Sequence, residues 1–134
     1  MKRAATTAGL NQGPAKDADA AHPIAPSWRP TFVAIVSALV QGDYRLRSCG
    51  PNVRLGSPRL ADQIRSAIAA YGETLAALPE ETWRTSVAQW MEGFWDVLVD
   101  LWTVESGACD LVLGVRVHEA GDGYRFVVDL VYVP

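Results

Sequence analysis

The sequence predicts an α+β domain in which two to three N-terminal helices pack on a four-stranded antiparallel β-meander. Three observations lead to this fold class. Apolar residues recur at helical spacing in the first half of the chain, they alternate with period two in the second half, and the turns between the predicted strands are short. Short turns join antiparallel neighbours, and helices followed by strands are the order of a domain whose helices cover one face of a sheet.

The chain has 134 residues, 49% of them hydrophobic, which is enough for one domain with its own core. Residues 1–26 are rich in Ala, Gly, Pro, Thr and Asp and show no apolar period, so they are predicted to form a disordered tail. Residues 27–134 are predicted to form the single α+β domain.

Two helices and one short helical turn are predicted in the first part of the domain. The first helix is expected to begin near Ser27 and to end at Gly42, and the second to begin at Ser57 and to end at Gly72. A further turn of helix is expected at about 78–83, where a proline and two acids stand at its start. The apolar face of the first helix consists of Phe32, Ile35, Val36, Leu39 and Val40.

Four strands are predicted, at about 85–91, 95–103, 110–119 and 124–133. Short segments that contain glycine separate them, so each strand is expected to pair with the next in antiparallel orientation. The second face of this sheet is expected to carry valines where a solvated face would be polar, namely Val112, Val127, Val131 and Val133. A homodimer, a partner protein or a curved sheet around a ligand cavity would each cover such a face.

The strongest local signal is a window in which tryptophans alternate with acids. Four of the five tryptophans fall between residues 83 and 102. Aromatic residues on strands commonly pack in the core, but tryptophans interleaved with acids also suit a binding surface that has aromatic anchors and a charged rim. The predicted binding residues are Trp90, Glu92, Trp95, Asp96, Asp100, Trp102 and Glu105.

Asp100 interrupts an apolar run, and a buried carboxylate requires a partner. Arg116 on the neighbouring strand, or backbone amides of the turn at 105–110, would satisfy it in a structural role. The alternative is a pocket in which Asp100 and either Glu73 or Asp110 are paired carboxylates suited to general acid–base chemistry.

Several functional classes are not supported by any motif. The sequence has no GxSxG, GxGxxG or GxxxxGK[ST] pattern, so no catalytic residue is predicted and enzymatic activity is less favoured than binding. His118 has no histidine or cysteine nearby, so neither a metal nor a cofactor is expected. An arginine cluster at 45–65 stands in a chain of net charge −3, and nucleic acid is not predicted as a partner.

The expected location is the cytoplasm. The longest apolar stretch without a charge, residues 32–40, is about half of what a membrane-spanning helix requires, so no membrane partner is expected. Cys49 and Cys109 form no CxxC motif, which is typical of reduced cysteines.

Five segments together resemble a family of small bacterial domains without an assigned function. They read YGETL, LP, TW, WDVLVDLWT and DLVL, beginning at Tyr71, Leu78, Thr82, Trp95 and Asp110. The resemblance covers about residues 28–134. It implies a bacterial origin and a shared fold, and it leaves the activity open.

The chain also resembles the cone-shaped NTF2-like domains at the level of the fold. A helix that ends in Gly-Asp, further helices and then an antiparallel sheet carry this similarity. The resemblance implies a pocket between sheet and helices, lined here by Trp90, Trp95, Trp102 and Tyr132.

Two functional hypotheses follow. Small size and the acid-and-tryptophan window favour a non-enzymatic module that binds another protein, and an immunity-type inhibitor of a basic toxin is one form of it. The alternative is a small-molecule-binding or enzymatic NTF2-like domain with a pocket around Asp100. A homodimer is compatible with both.

Overall fold

The computed structural model describes residues 13–134, and its strands form one six-stranded sheet. The regular elements are β1 (His22–Pro23), α1 (Arg29–Val40), β2 (Val53–Leu55), α2 (Leu60–Tyr71), β3 (Val87–Trp90), β4 (Trp95–Thr103), β5 (Gly107–Ala120) and β6 (Gly123–Tyr132). Short 3-10 helices lie at Pro26–Trp28, Arg47–Cys49 and Glu80–Arg84. Neither α-helix of this range has the length and apolar composition needed to cross a membrane.

The strands are ordered β1-β3-β4-β5-β6-β2. The four central strands follow each other in sequence and pair in antiparallel orientation. Each edge is completed by a very short strand from the first half of the chain. β1 pairs antiparallel with β3, whereas β2 pairs parallel with β6, with Val53 opposite Phe126.

The predicted fold class is therefore wrong. The sheet has six strands instead of four, it is mixed instead of antiparallel, and residues 13–134 contain two α-helices, because the predicted third helical turn is the 3-10 helix Glu80–Arg84. β1 and β2 are two and three residues long, which is too short for a period-two pattern. Their partners are also remote in the sequence, so no turn indicates either pairing.

Both helices pack on one face of the sheet. Alternate residues of β4 point to them and are buried, namely Trp95, Val97, Val99, Leu101 and Thr103. Phe32 of α1 meets Phe126 edge to face, at 5.5 Å between ring centroids. Trp28, which precedes α1, lies at the centre of an aromatic cluster, with its ring 5.2 Å from Trp95, 5.2 Å from Tyr124 and 6.1 Å from Phe126.

The stretch before α1 lies against this side of the sheet. The tail was predicted to extend to residue 26. In the structure the carbonyl of Ala15 accepts a hydrogen bond from the indole of Trp95 at 2.9 Å, and the ammonium of Lys16 lies 3.1 Å from Glu119 and 5.1 Å from the ring centre of Trp90. The first part of the predicted tail, residues 1–12, lies outside the described residues.

At two places where a strand has no neighbouring strand, side chains supply the missing hydrogen-bond partners of its backbone. Beyond the end of β2, the amide of Gln63 on α2 donates to the Val131 carbonyl at 2.8 Å and accepts from the Val131 N–H at 3.3 Å. Before the start of β3, the hydroxyl of Thr82 donates to the Asp100 carbonyl at 2.6 Å, and the Asp100 N–H donates to Ser86 Oγ at 2.9 Å. Buried backbone groups thereby keep hydrogen-bond partners.

Candidate functional site

Three of the predicted site residues meet on the sheet face that points away from the helices. We call it the open face, because the side chains on it alternate along β4 with buried core residues and remain partly or fully exposed. The strand register forms three rows of opposite residues across β4, β5 and β6. These rows are Leu98–Gly114–Leu130, Asp100–Val112–Tyr132 and Asp96–Arg116–Val127.

A bulge in β6 determines which of its side chains reach the open face. The register between β5 and β6 shifts after Gly114, so Asp129 is an extra residue that has no partner in the ladder. The alternation of the strand is reversed beyond it. Leu130 and Tyr132 consequently lie on the open face, and Val131 is fully buried in the core. Val131 was predicted to lie on the second face together with Val127. This prediction was wrong for Val131 because it assumed strict alternation along the whole of β6, whereas the bulge reverses the alternation.

A shallow depression of about 240 Å³ lies at the centre of the open face. Gly114 forms its floor, and we call it the Gly114 depression. Its other lining residues are Asp96, Leu98, Arg116, Asp129, Leu130 and Tyr132. A Cβ atom at position 114 would lie 3.7 Å from the Leu130 carbonyl oxygen and 3.9 Å from the Tyr132 ring, so the absent side chain leaves real space there.

The charges around the Gly114 depression are unevenly paired. Arg116 Nε lies 3.1 Å from the carboxylate of Asp129, and the same guanidinium lies 5.3 Å from the ring centre of Phe94. Asp96 is opposite Arg116 in the ladder, yet neither Asp96 nor Asp100 has a cationic group within 4 Å in the described part of the chain. Two carboxylates on β4 therefore remain available to a partner.

The structure divides the seven predicted binding residues between the two sides of the sheet. Asp96, Asp100 and Trp102 lie on the open face. Trp95 is buried among the core aromatics, and Trp90 packs against it with ring centroids 4.6 Å apart. Period-two alternation causes this separation, since neighbours in the window face opposite ways.

The remaining two predicted residues lie in turns. Glu92 occupies a left-handed position, φ 59°, in the turn between β3 and β4. Glu105 lies after β4 and binds Thr74. Because Trp102 and Tyr132 lie on the open face and Trp95 in the core, the four aromatics expected from the NTF2-like resemblance do not line one pocket.

Asp100 has neither Arg116 nor Glu73 as the partner that was predicted for it. It is only half-buried, and Arg116 pairs with Asp129 instead. Glu73 accepts hydrogen bonds from the hydroxyls of Thr103 and Ser106, so it is not a paired carboxylate of Asp100. In residues 13–134 no group of three His, Cys, Asp or Glu side chains is placed to hold a metal ion.

The Gly114 depression was not predicted, although one signal for it is present. A glycine in the middle of a regularly alternating strand marks a bulge or a place where another group approaches closely. Gly114 has both properties here, because the bulge opposite begins next to it and its missing side chain forms the depression. No comparable pattern in the sequence marks Asp129 as the bulged residue of β6.

Glu105, in the turn after β4, is bonded to Thr74 in the segment that precedes the 3-10 helix Glu80–Arg84. Thr74 donates its backbone N–H to one carboxylate oxygen at 2.7 Å and its hydroxyl to the other at 2.8 Å. These bonds, the backbone one first, lower the pKa of the Glu105 carboxyl from its usual value. The stabilisation is therefore present above the pKa of the unfolded chain and is lost as the pH falls through the lower folded pKa.

Replacement of Glu105 by glutamine is expected to loosen this link at neutral pH, because an amide presents one acceptor oxygen instead of two. The Val104 N–H, which donates to the Thr74 carbonyl at 2.8 Å, is the reporter. Its hydrogen exchange should be faster in Glu105→Gln than in the wild type at neutral pH, and the difference should shrink once acid protonates the wild-type carboxylate. A difference that persists unchanged in acid would contradict this assignment.

Comparison with known proteins adds a family assignment. The family described as a domain of unknown function (DUF7668) matches residues 36–134, a range that contains all of β2 to β6 and hence the whole open face. No curated protein and no solved structure matches the chain.

Proposed function

The chain belongs to the DUF7668 family, and we propose that it is a non-enzymatic module whose open face binds another protein through apolar and basic side chains of that partner. The observation that supports this proposal best is the Gly114 depression, an unfilled hollow in the open face. It is bordered by apolar side chains and by Asp96, whose carboxylate has no cationic group within 4 Å in residues 13–134.

The apolar part of the surface lies on β4 and β6, on either side of Gly114. Leu130 is 36% exposed, and Leu98, Tyr132 and Trp102 are half-buried, so each retains surface that a partner can cover. Contiguous exposed apolar area on a small protein is typical of an interaction surface. Binding energy concentrates where one side chain enters a central pocket and is surrounded by contacts that exclude water. The Gly114 depression has the position and size to accept such an anchor.

The size of the depression favours a side-chain anchor over a small-molecule ligand. Ligand pockets commonly have volumes of roughly 300–1,000 Å³ and enclose most of the ligand. The Gly114 depression measures about 240 Å³ and lies in the surface of an open sheet. A hollow of this size accommodates one aliphatic or aromatic side chain.

Charge complementarity defines the rest of the partner. Asp96 and Asp100 lie on the same face of β4 with Leu98 between them, so a basic group that approaches either carboxylate gains an ion pair without breaking an existing one. Complementary charge also accelerates association. The partner is therefore a protein that presents an apolar residue flanked by lysine or arginine, and a basic toxin inhibited by an immunity-type protein is one member of this class.

The test compares variants that alter the open face with matched controls. Gly114 has no positive φ, so Gly114→Val places a side chain in the depression without a forbidden backbone conformation. Gly123→Val places the same side chain in open space at the start of β6. Asp96→Lys with Asp100→Lys reverses the free charges, and Asp122→Lys in the β5–β6 turn is its control. Tagged proteins capture partners from the source cells.

We expect one stoichiometric partner that the wild type and both controls retain and that both open-face variants lose. With the purified partner, Gly114→Val should weaken the affinity about 30-fold, which corresponds to about 2 kcal/mol at a central anchor. Equal binding by all variants, or the absence of any partner, would overturn the proposal. If sedimentation shows a dimer of the wild type that Gly114→Val abolishes, the open face binds a second copy of the chain and not a different protein.

A further inference from the structure

A second surface with unusual chemistry lies in the connection between α1 and α2, away from the open face. Asp43 organises it by accepting hydrogen bonds from Arg47 N at 3.1 Å, from Ser48 N at 2.9 Å and from Ser48 Oγ at 2.7 Å. The bonds from Ser48 contribute most to lowering the pKa of the Asp43 carboxyl, and the charge of Arg47 adds to this effect. These hydrogen bonds tie the loop backbone and Ser48 to the ionised carboxylate.

Leu46 is the strained residue of this loop. It is buried, and its φ of 60° lies in the left-handed region that leucine seldom adopts. A conformation of this kind persists only where its surroundings impose it, and it often accompanies a functional site. Burial of Leu46 leaves its neighbours Arg45 and Arg47 exposed on either side of it.

Two adjoining depressions share these two arginines. One, of about 330 Å³, is also lined by Tyr44, Arg65 and the carboxylates Asp43 and Asp62. The other, of about 400 Å³, is also lined by Arg54. We call Arg45, Arg47, Arg54 and Arg65 the arginine surface. Both depressions are open at the surface, so an anion can reach the guanidinium groups from solvent.

Most of the positive charge of the arginine surface is not neutralised within the protein. Asp62 pairs with Arg65 at 3.1 Å, and Asp43 is occupied by the loop backbone and Ser48. Among the side chains that the structure describes, no carboxylate lies within 4 Å of the guanidinium of Arg45, Arg47 or Arg54. A chain of net charge −3 therefore carries a concentrated positive surface.

We propose that the arginine surface binds a small ligand that carries two adjacent phosphoryl groups, one in each depression, with Arg45 and Arg47 contacting both. The planar guanidinium matches phosphate oxygens through paired hydrogen bonds, which an ammonium group does not do. Because the two depressions share Arg45 and Arg47, a ligand with two linked anionic groups suits them better than a ligand with a single anionic group. This site is independent of the open face and of the protein partner proposed for it.

Isothermal titration of the full chain with inorganic pyrophosphate tests the proposal, with inorganic phosphate as the comparison. Pyrophosphate should bind about tenfold or more tightly than phosphate, because it alone reaches both depressions. Arg45→Gln with Arg47→Gln should weaken pyrophosphate binding at least about tenfold, and Arg125→Gln on β6 should leave it unchanged. Amide shifts on titration should be confined to residues 42–65.

Two further probes distinguish other polyanions. A short single-stranded DNA and vesicles that contain phosphatidylserine are titrated under the same conditions, and circular dichroism verifies that the arginine variants remain folded. Absence of pyrophosphate binding, equal binding by the double variant, or binding of DNA or vesicles alone would each overturn the proposal. None of these results affects the Gly114→Val experiment, so the two proposals fail separately.

Discussion

Trp28→Ala is expected to lower the free energy of unfolding by about 3–5 kcal/mol, as truncation of a fully buried tryptophan does. Trp28 is 1% exposed and meets Trp95, Tyr124 and Phe126 edge to face. Its removal leaves a cavity where the segment before α1 joins the sheet. Urea unfolding followed by circular dichroism measures the change, since tryptophan fluorescence would itself be altered.

Trp28→Phe separates packing from polarity at the same position. No acceptor for the indole N–H of Trp28 is found in the described range, so phenylalanine removes a buried donor that makes no hydrogen bond to protein. The loss should be less than half of that for Trp28→Ala. A stability of Trp28→Ala within about 1 kcal/mol of the wild type would show that the aromatic cluster is not the centre of the core.

Thr82→Val is expected to cost about 1–3 kcal/mol, because it leaves a buried acceptor without its donor. The Thr82 hydroxyl donates to the Asp100 carbonyl at 2.6 Å and lies 3.2 Å from Ser86 Oγ, which accepts the Asp100 N–H. Valine keeps the shape of threonine and removes only the hydroxyl. Equilibrium unfolding in urea gives the stability, and exchange of the Asp100 N–H reports the local effect.

Thr85→Val is the matched control for this hydroxyl. Thr85 is exposed, and its hydroxyl reaches the Thr82 carbonyl only at 3.5 Å, so a change within about 0.5 kcal/mol is expected. Equal losses in the two variants would show that the hydroxyls of Thr82 and Ser86 do not replace a neighbouring strand for Asp100.

The parts of the fold that the sequence predicts are those with long regular patterns. β4 begins at Trp95 and ends at Thr103, as its alternation indicates, and α2 ends before Gly72, which has a left-handed φ of 83°. β1 and β2 could not be predicted in this way. Each forms because a partner strand offers an unpaired edge, and that edge exists only after the rest of the sheet has formed.

The candidate site was predictable to a smaller extent. The acid-and-tryptophan window contains Asp96, Asp100 and Trp102 of the open face, but it also contains Trp95, because the window did not separate the two faces of β4. The apolar centre depends on the bulge at Asp129, which brings Leu130 and Tyr132 to the open face. A bulge arises from pairing between two strands, so a pattern within one strand does not indicate it.

The strand order also determines when a growing chain can fold on the ribosome. β2 is synthesised long before β6, yet β6 is the strand with which it pairs, and β1 likewise depends on β3. Contacts so distant in sequence form late. The apolar faces of α1 and α2 therefore lack their complete sheet throughout most of translation, and this half of the nascent chain exposes apolar surface until β6 emerges.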